Sequence, residues 1–122
     1  MSKQQSLIGE ILRRLHDDVE EEVSLHKITT NGEHRGIRVD FWVPSINTII
    51  EVHGIQHYKP SGFGKDKVRT TQDFLHQNNR DQKLRNICTR FSINYMEFTY
   101  TELNPNAIIK KLLTLPSVDT NI

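Results

Sequence analysis

Between residues 48 and 58 the chain reads TIIEVHGIQHY, and an acidic side chain stands inside an apolar segment. The β-branched residues around Glu51 are typical of a buried strand, where a carboxylate needs a partner. Two imidazoles, His53 and His57, follow within six residues. Carboxylate oxygens bind hard divalent cations, and an imidazole exchanges protons near neutral pH. The stretch is therefore a candidate for metal-assisted acid–base chemistry.

A β-hairpin would place a second carboxylate beside Glu51. The segments RVDFWV and TIIEVH predict two strands joined by a four-residue turn, 44–47. Alternation in the first strand predicts two faces, with Val39, Phe41 and Val43 on one and Arg38, Asp40 and Trp42 on the other. Such a turn pairs Val43 with Thr48 and sets Asp40 opposite Glu51, with Cβ atoms about 5 Å apart.

Two opposed carboxylates destabilise a sheet unless something neutralises them. A divalent cation with oxygen ligands would do so, and the backbone carbonyl of Val52 is a plausible third ligand. The sequence leaves two alternatives open. Either Arg38 or Lys27 pairs with one carboxylate, or the register of the hairpin slips.

His57 and Asp81 are the other residues that could take part in such chemistry. His57 follows Gly54, where the chain leaves the strand, so it could act as a general base at the same site. A single loop histidine is more often incidental. Asp81 falls on the apolar face of a predicted helix, where acids seldom lie without a partner. It would either pair with Arg85 or accept a hydrogen bond from His57.

Helical and alternating periodicities predict the remaining elements. A first helix over about 6–18, capped by Ser6, precedes a short strand over 22–28 and the hairpin. A helix over 71–91, a strand over 93–100 and a helix over 104–115 follow. The apolar stripe of the helix over 71–91 consists of Phe74, Leu84, Cys88 and Phe91, with Ile87 on its flank. The order α-β-β-β-α-β-α predicts an α/β fold with a small mixed sheet flanked by helices, in one domain over 1–116 with a tail over 117–122.

Charge is distributed unevenly along the chain. Residues 1–40 carry six basic and eight acidic side chains, whereas residues 59–90 carry eight basic and three acidic ones, a balance of +5. A basic segment suits a polyanionic partner such as nucleic acid, although it could also be a solvated helix face. The candidate nucleic-acid contacts are Lys59, Lys65, Lys67, Arg69, Arg80, Lys83 and Arg85.

Composition argues against several other classes of protein. No apolar run approaches the roughly 18 residues needed to cross a bilayer, and the N-terminus lacks the apolar core of a secretory signal. The single Cys88 excludes an internal disulfide framework and a cysteine-rich zinc site. We therefore expect no membrane association and a reducing, cytoplasmic setting.

Two segments carry a resemblance to a known family. RVDFWVPSINTIIEVHGIQHYKP and NNRDQKLRNICTRFSINYMEFTYTEL resemble the PD-(D/E)XK nuclease superfamily. More narrowly, they are similar to the EDxHD branch, which contains phage homing endonucleases related to the very-short-patch repair endonucleases. The likeness covers residues 37–103 closely and the first predicted helix more loosely.

The resemblance assigns a role to individual residues. It places the family's first glutamate at Glu10, its aspartate at Asp40 and its variable position at Glu51. The family's histidine falls on His57 and its last aspartate on Asp81. Without the resemblance, Glu10 would be read as a solvated glutamate on the flank of a helix.

The resemblance also implies an activity. It implies a restriction-endonuclease-like core that hydrolyses phosphodiester bonds of double-stranded DNA with Mg²⁺, for which Mn²⁺ would substitute. The sequence departs from the family at His53, where many relatives have aspartate, and lacks the lysine of the wider superfamily's E-x-K motif. The role of general base therefore moves to His57.

Three alternatives stay open at the level of function. A phage-encoded, free-standing homing endonuclease, acting in the host cytoplasm and able to form homo-oligomers, is the first interpretation. A repair-type or junction-cleaving nuclease is the second. From another class, a DNA-binding module could retain the fold without activity, although the set Asp40, Glu51, His57 and Asp81 argues against it.

Overall fold

The computed structural model describes residues 2–54 and 67–116, with the backbone but not the side chains of residues 67–70, 73 and 74. The helices are α1 (Lys3–Leu15), α2 (Leu25–Thr29), α3 (Lys67–Arg90) and α4 (Pro105–Leu112). The strands are β1 (Glu20–Ser24), β2 (Arg38–Val43), β3 (Thr48–His53) and β4 (Asn94–Thr99), and short 3₁₀ helices span Gly32–His34 and Pro44–Ile46. The predicted α/β fold with a mixed sheet is confirmed, with α2 as an additional short element.

The four strands form one sheet in the order β1-β2-β3-β4. The first three are antiparallel, and β4 lies parallel to β3 after the crossover through α3. The hairpin register is confirmed, because Val43 pairs with Thr48 and Phe41 with Ile50. Asn47 closes the turn in the left-handed conformation, with φ of 51°, which asparagine tolerates better than most residues.

Helices cover both faces of the sheet. The first core cluster joins α1 and α4 to the sheet and contains Ile8, Leu12, Phe41, Val43, Ile46, Ile50, Phe98, Ile108 and Leu112. The second lies under α2 and α3 and contains Val23, Leu25, Ile37, Val39, Ile49, Leu84, Ile87, Cys88 and Ile93. Val39 was expected beside Phe41 and Val43. All three are buried, but Val39 packs in the second cluster, so the expectation that all three share one face is wrong for Val39.

The first helix begins and ends earlier than predicted. Ser2, not Ser6, is the N-cap, and its side chain accepts a hydrogen bond from the Gln5 N–H. The helix ends at Leu15, His16 is extended, and Asp18 lies beyond the helix. Its carboxylate accepts hydrogen bonds from the backbone N–H and the hydroxyl of Ser45, at 2.6 and 2.9 Å.

The strand predicted over 22–28 is also wrong in part. It lies over Glu20–Ser24, and α2 follows at once. The ladder with β2 ends at the pair Ser24–Arg38, so residues after Ser24 have no strand to pair with. The buried Leu25 instead begins a helical turn, whose first N–H donates to the Ile37 carbonyl at 2.8 Å.

Helix α1 approaches β2 closely through Gly9. A Cβ atom at Gly9 would lie 2.9 Å from Cε1 of Phe41, a side chain that is fully buried. Nearer its start, the Gln4 side-chain amide donates to the carbonyls of Thr99 and Glu102, at 2.6 and 2.8 Å. These contacts fix α1 against the sheet. Over the described residues, the helices are too short or too polar to cross a bilayer.

Candidate functional site

The hairpin brings Asp40 and Glu51 together through two reciprocal hydrogen bonds. The backbone N–H of Asp40 donates to Oε2 of Glu51, and that of Val52 donates to Oδ2 of Asp40, both at 2.7 Å. Each carboxylate thus accepts a bond from the backbone of the opposite strand. Carboxylates replace carbonyls as acceptors here, directly after the last ladder pair, Phe41–Ile50. The predicted opposition of the two acids is what the register produces.

Glu51 is buried, with 8% of its surface exposed, whereas Asp40 is half-buried. Burial raises the pKa of Glu51 to about 9, reinforced by the charge and the side-chain hydrogen bond of Asp40. The positive charge of Arg80 acts in the opposite direction. The two backbone N–H groups contact Oε2 of Glu51 and Oδ2 of Asp40. A cation or a proton is needed to stabilise the pair.

A polar cavity of about 250 Å³ opens onto the pair. It is lined by Gln5, Arg38, Asp40, Glu51, Val52, His53, Gln77 and Arg80. The exposed guanidinium groups of Arg38 and Arg80 lie beside the acids, so the cavity combines both signs of charge. It can hold a cation at the carboxylates and an anion at the arginines.

Two glutamines of this cavity were not among the predicted site residues. Gln5 is in helical phase with Ile8 and Leu12, which pack in the first core cluster, so its inward position was readable from spacing. Gln77 precedes Asp81 by one helical turn and donates to its Oδ1 at 3.2 Å. Gln77 also lies three residues after Phe74 and seven before Leu84, so its phase likewise placed it on the face of the helix that covers the sheet.

Asp81 is buried on α3, as its spacing predicted, with 4% of its surface exposed. Its predicted partner His57 lies outside the described residues, so the hydrogen bond between them stays a prediction. The alternative partner, Arg85, donates to Glu97 on β4 at 2.9 Å. Burial opposes ionisation of Arg85, but Glu97 and, more weakly, the charge of Asp81 raise its pKa. Gln77 connects Asp81 to the cavity.

Glu97 extends the row of acids across the sheet. It is paired in register with Glu51 on the adjacent parallel strand. Its carboxylate accepts hydrogen bonds from Arg85 and from the Tyr95 hydroxyl, the latter at 3.0 Å, and lies 3.5 Å from Nδ1 of His53. Arg85 was predicted to contact nucleic acid, but here it neutralises this third carboxylate.

Glu10 lies away from the other acids. Its carboxylate is exposed and pairs with Arg14, one helical turn later, at 3.2 Å. It lines a separate apolar groove between α1 and α4. The residue that α1 contributes to the cavity is Gln5, so the structure does not bring Glu10 to the site.

The predicted nucleic-acid contacts fall into three groups. Lys59 and Lys65 lie outside the described residues, and only the backbone of Lys67 and Arg69, at the start of α3, is described. Arg80 and Lys83 are exposed one helical turn apart. Arg85 is half-buried beside Glu97. Only Arg80 and Lys83 can therefore be assessed as exposed cations.

The donor atoms at the acidic pair suit a hard cation. Over residues 2–54 and 67–116, no group of three or more His, Cys, Asp or Glu side chains is placed to hold a metal ion. Mg²⁺ nevertheless needs only one or two carboxylates, since waters and substrate phosphates complete its coordination. Asp40 and Glu51, with the backbone of Val52, therefore fit Mg²⁺ or Mn²⁺ better than Zn²⁺.

Comparisons with known proteins do not assign the chain to a family. No family model, curated protein or solved structure matches it.

Proposed function

We propose that the protein is a metal-dependent DNA endonuclease. The observation that carries this proposal is the interlocked pair Asp40 and Glu51, which faces a polar cavity between two exposed arginines. Paired carboxylates that can bind a metal ion, with cationic side chains beside them, suit a phosphodiester. The negative charge of its phosphate must be stabilised during hydrolysis. The basic balance of residues 59–90 adds a reason for a nucleic-acid substrate.

Each residue of the proposed active site has a separate role in hydrolysis. Asp40, Glu51 and the backbone carbonyl of Val52 would hold Mg²⁺ or Mn²⁺. A divalent cation bound there supplies Lewis-acid polarisation of the phosphate. Arg80 contacts the phosphate and limits its rotation. His57 takes a proton from the attacking water, and Asp81 accepts a hydrogen bond that orients the imidazole.

The sequence resemblance supports a particular kind of nuclease. The sequence segments around Asp40, His57 and Asp81 resemble phage homing endonucleases of the EDxHD branch. A free-standing homing endonuclease is therefore the type of nuclease that we propose first. A repair-type or junction-cleaving nuclease would use the same catalytic set. The proposal leaves Glu10 out of this set, because its carboxylate pairs with Arg14 away from the cavity.

One observation favours an alternative of another class. Because the pKa of Glu51 is raised so far, a proton shared with Asp40 would stabilise the pair without a metal ion. A DNA-binding module that has lost catalysis would have this arrangement. The two functions differ in whether DNA is cut when Mg²⁺ is added.

Cleavage of supercoiled plasmid tests the proposal. We expect the wild-type protein to cut with Mg²⁺ or Mn²⁺ and not with EDTA. Asp40→Asn should abolish cleavage and leave DNA binding intact, because removing a negative charge does not weaken a phosphate contact. Glu10→Gln, the same acid-to-amide change outside the cavity, should cut at the wild-type rate. Full cleavage in EDTA would contradict the metal dependence. DNA binding without cleavage in any divalent cation would favour the silent module.

A further inference from the structure

A second groove begins where the acidic cavity ends. It has a volume of about 360 Å³ and is lined by Glu33, Gly36, Ile37, Asn79, Arg80 and Lys83. Arg80 lines both the cavity and this groove. A strand whose phosphate lies at the acidic pair would therefore continue over Arg80 into the groove.

We infer that this groove binds the nucleotide next to the cleaved phosphodiester bond, an inference that rests on the proposed nuclease function. Lys83 and Arg80 present exposed cations one helical turn apart on α3, which suits the phosphate. Gly36 and Ile37 line the groove beside these cations and would contact the sugar or base. The volume falls within the range of about 300–1,000 Å³ typical of small-ligand sites.

The wall opposite α3 is held in place by its own hydrogen bonds. The Asn31 side chain accepts from the Glu33 N–H at 2.9 Å and so caps the 3₁₀ helix Gly32–His34. The buried His34 ring joins its Nδ1 to the Thr29 hydroxyl at 2.6 Å. A wall fixed in this way loses little conformational entropy when a ligand binds.

Arg80 is positioned at the boundary by the strand beneath it. Its guanidinium Nη2 donates to the backbone carbonyl of Arg38 at 3.1 Å. One such bond leaves most of the five N–H donors of a guanidinium for a ligand. Arg80 can thus contact the phosphate that joins the two nucleotides.

The groove also contains groups able to read a base. A glutamate side chain accepts hydrogen bonds, so Glu33 favours a base that carries an amino group on its major-groove edge, as cytosine and adenine do. Asn79 carries both a donor and an acceptor, and bidentate pairing with adenine is the contact that asparagine makes best. We therefore assign a preference for cytosine or adenine at the flanking position.

The salt dependence of DNA binding tests the groove without requiring cleavage. A labelled mixed-sequence duplex would be titrated by fluorescence anisotropy with the Asp40→Asn protein between 50 and 200 mM NaCl. Adding Lys83→Gln should reduce the log–log salt slope by about 0.9, so the affinity advantage of Lys83 shrinks about 3.5-fold over this range. Lys110→Gln, the same change on an exposed lysine of α4, should leave the slope unchanged.

The base preference gives a second measurement. Mapping of cut ends from the active protein should show cytosine or adenine enriched beside the cut, and Glu33→Gln should flatten that enrichment. Glu20→Gln, which removes an exposed carboxylate of β1, should not. An unchanged salt slope in Lys83→Gln, with cleavage intact, overturns the groove and leaves the nuclease standing. A reduced slope in a protein that never cuts overturns the nuclease and leaves a DNA-binding groove.

Discussion

Glu51 lies between two other carboxylates, and each is neutralised differently. Glu97, its partner on β4, binds Arg85 and the Tyr95 hydroxyl, so its charge is compensated within the fold. Asp40, its partner on β2, accepts a hydrogen bond from the Val52 backbone, and its interaction with Glu51 is repulsive when both are ionised. The uncompensated charge of the row is therefore concentrated on the side that faces the cavity.

The raised pKa of Glu51 predicts how stability depends on pH in the absence of metal. Because this pKa is higher in the folded state than the usual value of about 4.3, the folded protein binds more protons between these values. The stability that Glu51 contributes is thus complete below pH 4 and is lost as pH rises towards 9. Each pH unit within this window costs at most about 1.4 kcal/mol.

Urea unfolding of wild type and Glu51→Gln in EDTA at pH 5, 7 and 9 would measure this. We expect the variant to gain stability relative to wild type as pH rises, because it carries no charge to bury. Adding Mg²⁺ at pH 8 should stabilise the wild type and not the variant. Glu20→Gln, at an exposed position, serves as the control. Parallel stability curves for wild type and Glu51→Gln would contradict the assignment.

The positions of some site residues could be predicted from the sequence, and those of others could not. The opposition of Asp40 and Glu51 follows from counting across a short turn. Gln5 could have been found from its helical phase with Ile8, whereas the similarity-based assignment of Glu10 ignored that phase. The position of Glu97 beside Glu51 could not be counted, because it depends on where β4 docks after a long crossover.

At the scale of elements, the pairing of strands joined by a short turn could be predicted from the sequence, whereas the pairing of strands far apart in the chain could not. The β2–β3 register is fixed by the residues of the turn, and Asn47 supplies the left-handed conformation that ends it. The parallel β3–β4 register is set by how α3 packs on the sheet, through Leu84, Ile87 and Cys88. The end of β1 was missed for a related reason, since it depends on where β2 begins.

Helix α1 reaches the sheet through Gly9, which predicts an effect of adding a side chain there. The Cβ atom of Gly9→Ala would lie 2.9 Å from the buried Phe41 ring, so α1 or the ring must move. Overpacking of this kind costs about 1–3 kcal/mol, against about 1 kcal/mol gained in helix propensity. We expect a net loss of about 1 kcal/mol, which is several degrees in Tm.

Thermal unfolding of Gly9→Ala and Ser6→Ala would check this expectation. Ser6 is exposed on the same helix, so alanine there gains propensity without a clash. The two alanine variants should therefore change Tm in opposite directions. An increase in Tm for Gly9→Ala would mean that α1 can move away from Phe41 without cost.

At the scale of the whole molecule, the cavity, the second groove and the exposed cations Arg80 and Lys83 lie on the side of α3. The acidic pair, the cavity arginines and the second groove lie along α3 and the adjoining ends of β2 and β3. The excess of acidic residues lies in residues 1–40, mostly in the segment after α1 and in β1. A DNA duplex bound as proposed would contact the exposed Arg80 and Lys83 of α3, next to the two carboxylates of the cavity.

If the proposed nuclease activity is correct, the one acidic cavity in the described part of the chain would cut one phosphodiester at a time, so a single copy should nick DNA. Supercoiled plasmid should convert first to open circle, and linear product should form at a rate that rises with the square of protein concentration if two copies must meet.

Mixing wild type with Asp40→Asn at constant total protein separates the two steps. Nicking should fall in proportion to the wild-type fraction, and linear product with its square. Gel quantification of both products at several mixing ratios provides the measurement. Linear product that appears without an open-circle intermediate, in equal proportion at every protein concentration, would instead indicate a stable homo-oligomer that cuts both strands in one binding event.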